Sequence, residues 1–216
     1  MDSRFVAQME KVLATYEESY DEQYPVICFD ERPCQLISDV VEPIGPCPGH
    51  NKKIDYHYKR NGTCSILMAI EPLTGKRVVE IVENRKKKQY TEFMQKLEKK
   101  YPKAKKIKLV QDNLNTHSPS SFYASLPADK AFELMERFDM IFTPRKASWL
   151  NMVEIELSAL SRQCLDRRIG EIEKLKEEVL SWTQNRIENK VKITWQFTRE
   201  KARKKLKSRY EGVQNF

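Results

Sequence analysis

The sequence lacks the features that mark secreted and membrane proteins. Its five cysteines are an odd number and form no Cys-x-x-Cys pair, which argues against a disulfide-stapled secreted fold. No run approaches the roughly 18 consecutive apolar residues of a membrane-spanning helix. The first ten residues, MDSRFVAQME, are polar and acidic, unlike a secretory leader. These absences predict a cytoplasmic protein that does not associate with membranes.

The composition that remains is basic and suited to one large domain. The chain has 216 residues, of which 40% are hydrophobic, so it can build a sizeable core and is not a disordered tail. Lysine and arginine number 39 against 31 acidic residues, a formal net charge of +8. Such an excess suits a polyanionic partner, most often nucleic acid, although a soluble basic protein can share the same balance.

Apolar periodicity and turn residues predict an ordered series of helices and strands. Strands are predicted at 24–30, 62–70, 77–82, 106–112 and 138–144. Helices are predicted at 3–20, 87–101, 119–137 with Pro127 as a break or a new start, 148–168 with Ser148 as N-cap, 171–190 and 198–210. Prolines and glycines crowd residues 31–60, which predicts a long irregular loop there. Three antiparallel strands followed by alternating helices and strands predict an α/β fold, the ribonuclease H-like mixed sheet flanked by helices.

Acidic residues stand where elements of this sheet end or begin. Asp30 closes the first predicted strand and Asp112 the fourth, and neighbouring strands would bring the two together. The helix from Ser148 supplies a third acid, either Glu154 or Glu156, since both flank its apolar stripe by roughly 80°. Carboxylate oxygens suit Mg²⁺, and two such ions can stabilise phosphoryl transfer. Taken singly, Asp30 is better explained as a strand stop and Asp112 as an Asx turn, and Glu154 can be a solvated acid near a helix N-terminus.

Several motifs, in order along the chain, resemble the catalytic half of DDE transposases, in the bacterial insertion-sequence branch related to the mariner superfamily. They are VICFDERPCQL, DYHYKRNGTCSILMAIEPLTGKR, LVQDNLNTHS, SWLNMVEIELSALSRQCLDRRI and WQFTREKARKKLKSRY. The resemblance covers residues 24–210 and implies a ribonuclease H-like fold. It assigns the two family aspartates to Asp30 and Asp112. The family pattern Asn-x-x-Glu assigns the glutamate to Glu154 and leaves Glu156 outside the triad.

The resemblance also implies an activity. Asp30, Asp112 and Glu154 would be catalytic residues that hold two Mg²⁺ ions, with Mn²⁺ able to substitute. The implied reaction is DNA strand cleavage followed by strand transfer, a cut-and-paste insertion typically at TA dinucleotides. Implied partners are the transposon ends and the target DNA, with a homodimer forming in the DNA complex through the loop 31–60. Such a protein acts at the bacterial nucleoid.

Residues around the triad are predicted to support it or to contact DNA. Asn113, His117 and Asn151 are the supporting candidates. His117 could instead bond only within its loop, and Asn151 could merely cap its helix. The candidate DNA contacts are Arg85, Lys86, Lys87, Arg145, Lys146, Trp149, Arg203, Lys204 and Lys205. A charge run is more often a solvated face than a DNA contact, and an aromatic residue in the first turn of a helix, such as Trp149, is more often used in packing.

The chain divides, on these patterns, into three parts. Residues 1–23 are predicted as a helix and linker to a helix-turn-helix region, which full-length relatives carry upstream. Residues 24–170 form the catalytic domain with its inserted loop 31–60. Residues 171–216 form a basic helical extension.

One departure from the family pattern bears on activity. Relatives read Pro-Lys-His-Gly-Ser-Trp-Leu-Asn before the glutamate, whereas this chain has PRKASWLN, with Lys146 for histidine and Ala147 for glycine. An alanine would be strained if that position needs a positive φ. This leaves one alternative function, an inactive or co-opted transposase remnant that binds DNA or a protein partner without cutting. A structure-specific nuclease on the same fold is a third reading.

Overall fold

A five-stranded mixed sheet forms the centre of the protein, seen in a computed structural model that describes residues 2–214, with side chains to residue 212. Its strands are β1 (Val26–Asp39), β2 (Tyr58–Ile70), β3 (Arg77–Val82), β4 (Ile107–Gln111) and β5 (Phe138–Phe142). They lie in the order β3-β2-β1-β4-β5. The pairs β1–β2 and β2–β3 are antiparallel, and β1–β4 and β4–β5 are parallel. The predicted ribonuclease H-like sheet is confirmed.

Helices cover both faces of this sheet. They are α1 (Ser3–Tyr16), α2 (Lys87–Lys100), α3 (Pro119–Tyr123), α4 (Ala128–Glu136), α5 (Val153–Gln163), α6 (Ile172–Glu188), α7 (Arg199–Lys205) and α8 (Lys207–Gln214). Side chains alternate along β1, so Phe29 packs under α2, α3 and α4 while Cys28 packs under α1, α5 and α6. Burying each large apolar side chain contributes about 1.5–3 kcal/mol, and the two clusters fix the sheet between its helices.

The first helix belongs to this core. Met9, Val12 and Leu13 of α1 are fully buried in the same cluster as the residues of α5 and α6. Helix α7 packs on α1 through ion pairs, Arg203 to Glu10 and Arg199 to Glu17. The three-part division of the chain stays a prediction.

The interval 31–60 is more regular than its prolines suggested. Strand β1 continues to Asp39 and β2 begins at Tyr58, so the irregular chain is confined to 40–57. The prediction of irregular structure was wrong for both ends of the interval because Pro33 is tolerated in β1. Its register partner is Ser65, and the edge of β1 beyond Cys28 carries no pairing with β4.

The N-cap prediction at Ser148 was also wrong. Ser148–Leu150 form a single 3₁₀ turn, and Asn151 then adopts an extended conformation (φ −85°, ψ 114°). That residue interrupts the helical path, so α5 begins only at Val153. The interruption directs the Asn151 side chain towards β1. Within the described residues, no helix is both long enough and apolar enough to cross a membrane.

Candidate active site

Asp30 lies inside β1, just beyond the point where β1 stops pairing with β4. The sequence predicted a strand end, but β1 runs on and Asp30 is the register partner of Met68 in β2. Pairing of β1 with β4 stops at Cys28, two residues earlier. Beyond that residue, β4 no longer covers the strand edge, and Asp30 borders the gap. Because successive side chains alternate, Asp30 shares the face of Cys28, the face that α5 covers.

Asn151 holds the backbone and the carboxylate at Asp30. Its amide Nδ2 donates to the carbonyl of Phe29 at 2.8 Å and lies 3.4 Å from Asp30 Oδ2. The backbone N–H of Glu31 donates to Asp30 Oδ1 at 2.8 Å. Asn151 is 1% exposed, so this amide is a buried bridge from the start of α5 to β1. Asn151 Oδ1 also accepts from the backbone N–H of Val153 at 3.5 Å, so the residue contacts both β1 and the first turn of its helix, and its supporting role stays a prediction.

Asp112 follows the last residue of β4 and opens a polar turn. Its Oδ1 accepts from the backbone N–H of Leu114 at 3.1 Å and lies 2.5 Å from His117 Nδ1. The other ring nitrogen of His117 lies 2.8 Å from Glu31 Oε2. Burial opposes a charge on His117, but hydrogen bonds to Asp112 and Glu31 outweigh it and raise the pKa of His117 to about 9. Asp112 is partly buried, which disfavours its charge, yet the bond from His117 holds its pKa below the ordinary value.

Glu154 and Glu156 occupy different environments on the first turn of α5. Glu156 is fully buried and bonds Arg77 Nε at 2.7 Å and Arg186 Nε at 2.6 Å. Burial alone would raise the pKa of Glu156, but the two guanidinium groups lower it. Both oxygens of Glu156 are therefore engaged away from the other acids. Glu154 is only partly buried and has the cation of Arg32 nearby.

The three candidate acids share one electrostatic environment. Burial raises the pKa of Asp30 to about 7, and repulsion from Asp112, Glu31 and Glu154 adds to the shift. Burial likewise raises the pKa of Glu154, with Asp112 adding repulsion and Arg32 opposing it. Like charges that disfavour one another's ionisation lie close enough to interact. The charges of Asp30, Asp112 and Glu154 are thus within range of one another.

A divalent cation would fit this donor set. Among the side chains that the structure describes, no group of three or more histidine, cysteine or acidic residues is arranged so that it could hold a metal ion. The candidate acids nevertheless offer only oxygen donors, which Mg²⁺ and Mn²⁺ prefer, and such ions keep waters and substrate oxygens as further ligands. A bound cation would favour the charged form of Asp30, which burial first and repulsion second now disfavour. Cys47 and His50, a pair of nearby ligand types, face each other only as a backbone bridge in the 40–57 loop.

A polar groove leads away from Asp112. Its first part, of about 440 Å³, is lined by Asp112, Asn113, Arg145 and Lys146 among others. A second cleft of about 480 Å³ shares Asn113 and Arg145 and continues to Asn115 and to Arg4 and Gln8 of α1. The sequence singled out Asn113, Arg145 and Lys146. It missed the α1 residues because nothing in the sequence indicates that α1 packs beside this turn.

The other candidate DNA contacts differ in their partners and in their exposure. Arg203 is held by both oxygens of Glu10 at 2.7 Å, and Arg85 lies 3.3 Å from Glu31, so each already has an acidic partner. Trp149 is 49% exposed and packs its ring against Phe197. The remaining lysines of the prediction are exposed: Lys86, Lys87, Lys204 and Lys205.

The turn before α5 shows where backbone strain lies in PRKASWLN. Lys146 has φ +58°, in the left-handed region, whereas Ala147 has φ −129°. The position that substitutes for the family glycine therefore does not need a glycine. Ala147 is also 1% exposed, so its methyl group fills space in the core. The strain falls on the preceding lysine instead.

The comparisons with known proteins agree with this fold. A family model described as DDE superfamily endonuclease matches residues 25–176, more than two thirds of the chain. No curated protein sequence matches the chain. The chain resembles the structure of the Mos1 mariner paired end complex with Mn, at TM-score 0.56 and 14% identity, over 86% of this chain and 56% of that one. It resembles the pre-cleavage Mos1 transpososome at TM-score 0.56 and 13% identity, over 89% and 63%.

The Mos1 strand transfer complex gives a similar result, with TM-score 0.57 and 12% identity over 89% of this chain and 62% of that one. The chain thus spans somewhat over half the length of these Mos1 chains, and at such identities the likeness concerns the fold. Membership of a family follows from the family model, which covers β1 to the start of α6 and all three candidate acids. The chain belongs to the DDE superfamily endonucleases.

Proposed function

We propose that this chain is the catalytic domain of a transposase that cleaves and joins DNA strands with divalent metal ions. One arrangement carries the proposal: Asp30 lies in β1 just beyond its pairing with β4, Asp112 directly follows β4, and Glu154 lies on the first turn of α5, and the charges of the three acids repel one another. The polar groove and the net charge of +8 support DNA as the substrate. Mg²⁺ is the proposed cofactor, with Mn²⁺ able to substitute.

The residues of the site would act by positioning. Divalent ions, when bound to the three carboxylates, supply charge neutralisation for phosphoryl transfer and lower the pKa of an attacking hydroxyl or water. Asn151 fixes the direction of Asp30 from the start of α5, and His117 fixes that of Asp112. Arg145 and Lys146 place cations on the groove that leaves Asp112, where they would bind the phosphates of the strand. In such reactions, positioning and electrostatics provide most of the acceleration.

Finer features are also proposed. Cut-and-paste insertion at TA targets and pairing of two protomers on DNA come from the family resemblance. The 40–57 loop supports the pairing because it exposes several large apolar side chains. They are Val40, Val41, Ile44, Ile54 and Tyr56. Exposed apolar residues at this density favour a protein contact over a solvated loop.

The test is nicking of supercoiled plasmid DNA with Mg²⁺ or Mn²⁺, by the parent and by Asp112→Asn. The proposal expects metal-dependent nicking by the parent and none by the variant, with both proteins binding the plasmid. Equal DNA binding without nicking by either would instead support the non-catalytic alternative. Nicking that survives Asp112→Asn would place the active site elsewhere.

A further inference from the structure

We propose that Glu31 is a positioning residue that orients Asp112 through His117. The inference rests on the proposed function and deepens it, because it adds to the three carboxylates a fourth that acts through His117. Glu31 and Asp30 are consecutive in β1, so their side chains point to opposite faces of the sheet. Asp30 faces α5, whereas Glu31 lies on the face of α2. Strand β1 thus presents Asp30 to the site and Glu31 on the opposite face of the sheet.

A single buried imidazole, that of His117, connects Glu31 to Asp112. His117 Nε2 lies 2.8 Å from Glu31 Oε2, and Nδ1 lies 2.5 Å from Asp112 Oδ1. The side chains of His117 and Glu31 are 2% and 5% exposed, whereas that of Asp112 is 39% exposed. The imidazole therefore spans from a buried acid to one that opens onto the groove. A buried carboxylate needs such a partner, since an unpaired charge in the interior is costly.

The imidazole ring has little freedom to leave this position. Tyr90 stacks on it with centroids 5.1 Å apart and planes 26° apart, and Phe29 meets it edge-on at 5.1 Å. Gln111 Nε2 donates to the backbone carbonyl of His117 at 3.1 Å, and Tyr90 Oη donates to Gln111 at 2.9 Å. The ring is thus held from α2, β1 and β4, and the Glu31 carboxylate faces its Nε2 at ion-pair distance.

A simpler role for Glu31 would be an ion pair with Arg85. That contact is long, at 3.3 Å, and the Arg85 side chain is 50% exposed, so solvent screens it. It also uses the other oxygen, Oε1, and leaves Oε2 facing the imidazole. Outer-shell residues that orient metal ligands typically contribute about 10–100-fold to metal affinity or activity. We expect an effect of that size, transmitted through His117.

The test is a double-mutant cycle read by nicking kinetics and by Mn²⁺ affinity. The four proteins are the parent, Glu31→Gln, His117→Asn and the double variant. We expect Glu31→Gln to lower kcat about 10–100-fold, to weaken Mn²⁺ binding and to leave KM for DNA unchanged. In the His117→Asn background, Glu31→Gln should cause no further loss. Glu98→Gln is the matched control, because Glu98 also pairs with an arginine, Arg137 at 3.1 Å, and should keep full activity.

Two results would overturn the inference. One is a Glu31→Gln protein that matches the parent in kcat and in Mn²⁺ affinity. The other is a double variant whose loss is the product of the two single losses, which would mean that Glu31 acts independently of His117. Glu31→Asp, which keeps the charge but withdraws it from the imidazole, gives the same comparison if the glutamine variant does not fold. Failure of the proposed function would appear differently, as a parent that neither nicks DNA nor binds Mn²⁺.

Discussion

Glu156 accepts a hydrogen bond from Arg77 at 2.7 Å, and both side chains are fully buried. Two residues earlier on α5, Glu154 is partly exposed and interacts with Asp112. The first turn of one helix therefore carries a structural glutamate and a candidate metal ligand, and their substitutions should have opposite consequences.

Glu156→Gln should lower the free energy of unfolding by about 3–5 kcal/mol, because it leaves the guanidinium groups of Arg77 and Arg186 without their carboxylate. Glu154→Gln should not destabilise the protein, since burial and repulsion from Asp112 already disfavour its charge. Urea unfolding measures both. Nicking should be lost in Glu154→Gln, and a Glu154→Gln protein with parental activity would remove this residue from the triad.

Asp30→Asn should stabilise the metal-free protein at neutral and higher pH. The pKa of Asp30 is about 7 in the folded protein against an ordinary value of 3.8, so the folded state keeps a proton that the unfolded chain releases between these values. Stability therefore falls as pH rises through this window, and the loss is complete above about pH 7. A tenfold change in proton affinity corresponds to about 1.4 kcal/mol, so the gain from asparagine is on the order of a few kcal/mol.

Thermal unfolding in the presence of a chelator checks this, at pH 4 and at pH 8. The difference in unfolding temperature between Asp30→Asn and the parent should be small at pH 4 and large at pH 8. A variant that is less stable than the parent at pH 8 would contradict the electrostatic description of the site.

Ala147→Gly, which restores the residue common in relatives, should lower stability by about 1 kcal/mol and leave nicking no faster. Ala147 has a negative φ and a buried methyl group, so glycine removes packing without relieving strain. Calorimetric unfolding and plasmid nicking measure the two effects. A more stable or a clearly faster Ala147→Gly protein would show that the alanine impairs this turn.

Arg145→Ala and Arg4→Ala should each weaken DNA binding and reduce its dependence on salt. Each lost phosphate contact lowers the slope of log K against log salt by about 0.9 on duplex DNA, and both residues line the groove from Asp112. Fluorescence anisotropy across a salt series gives the slope. Lys130→Ala is the control, because Lys130 pairs with Glu133 on α4, and its slope should equal that of the parent. Unchanged slopes in both arginine variants would mean that DNA does not bind in this groove.

The sheet could be predicted from the sequence because its strands carry strong local signals. Apolar runs ending at turn residues located β2 to β5 within a few residues. The extension of β1 to Asp39 could not be predicted, since its pairing with β2 depends on a distant segment and overrides Pro33. Turn composition is a local signal, whereas strand pairing is a tertiary one.

The same limit applies to the site. The position of acids beside apolar runs pointed to Asp30 and Asp112, but helix geometry left Glu154 and Glu156 open. The two glutamates differ in their partners. Arg77 of β3 and Arg186 of α6 both form ion pairs with Glu156. Glu31 was missed for a similar reason, although alternation along the strand would have placed it opposite Asp30. Its partner His117 lies 86 residues further along the chain, and only the folded sheet brings the two together.

The most direct measurement of the central claim is calorimetric titration of Mn²⁺ into the parent and into four variants: Asp30→Asn, Asp112→Asn, Glu154→Gln and Glu156→Gln. The account predicts binding by the parent, a marked loss in each of the first three variants, and binding retained by folded Glu156→Gln. Mn²⁺ binding that is the same in the parent and in the first three variants would contradict it.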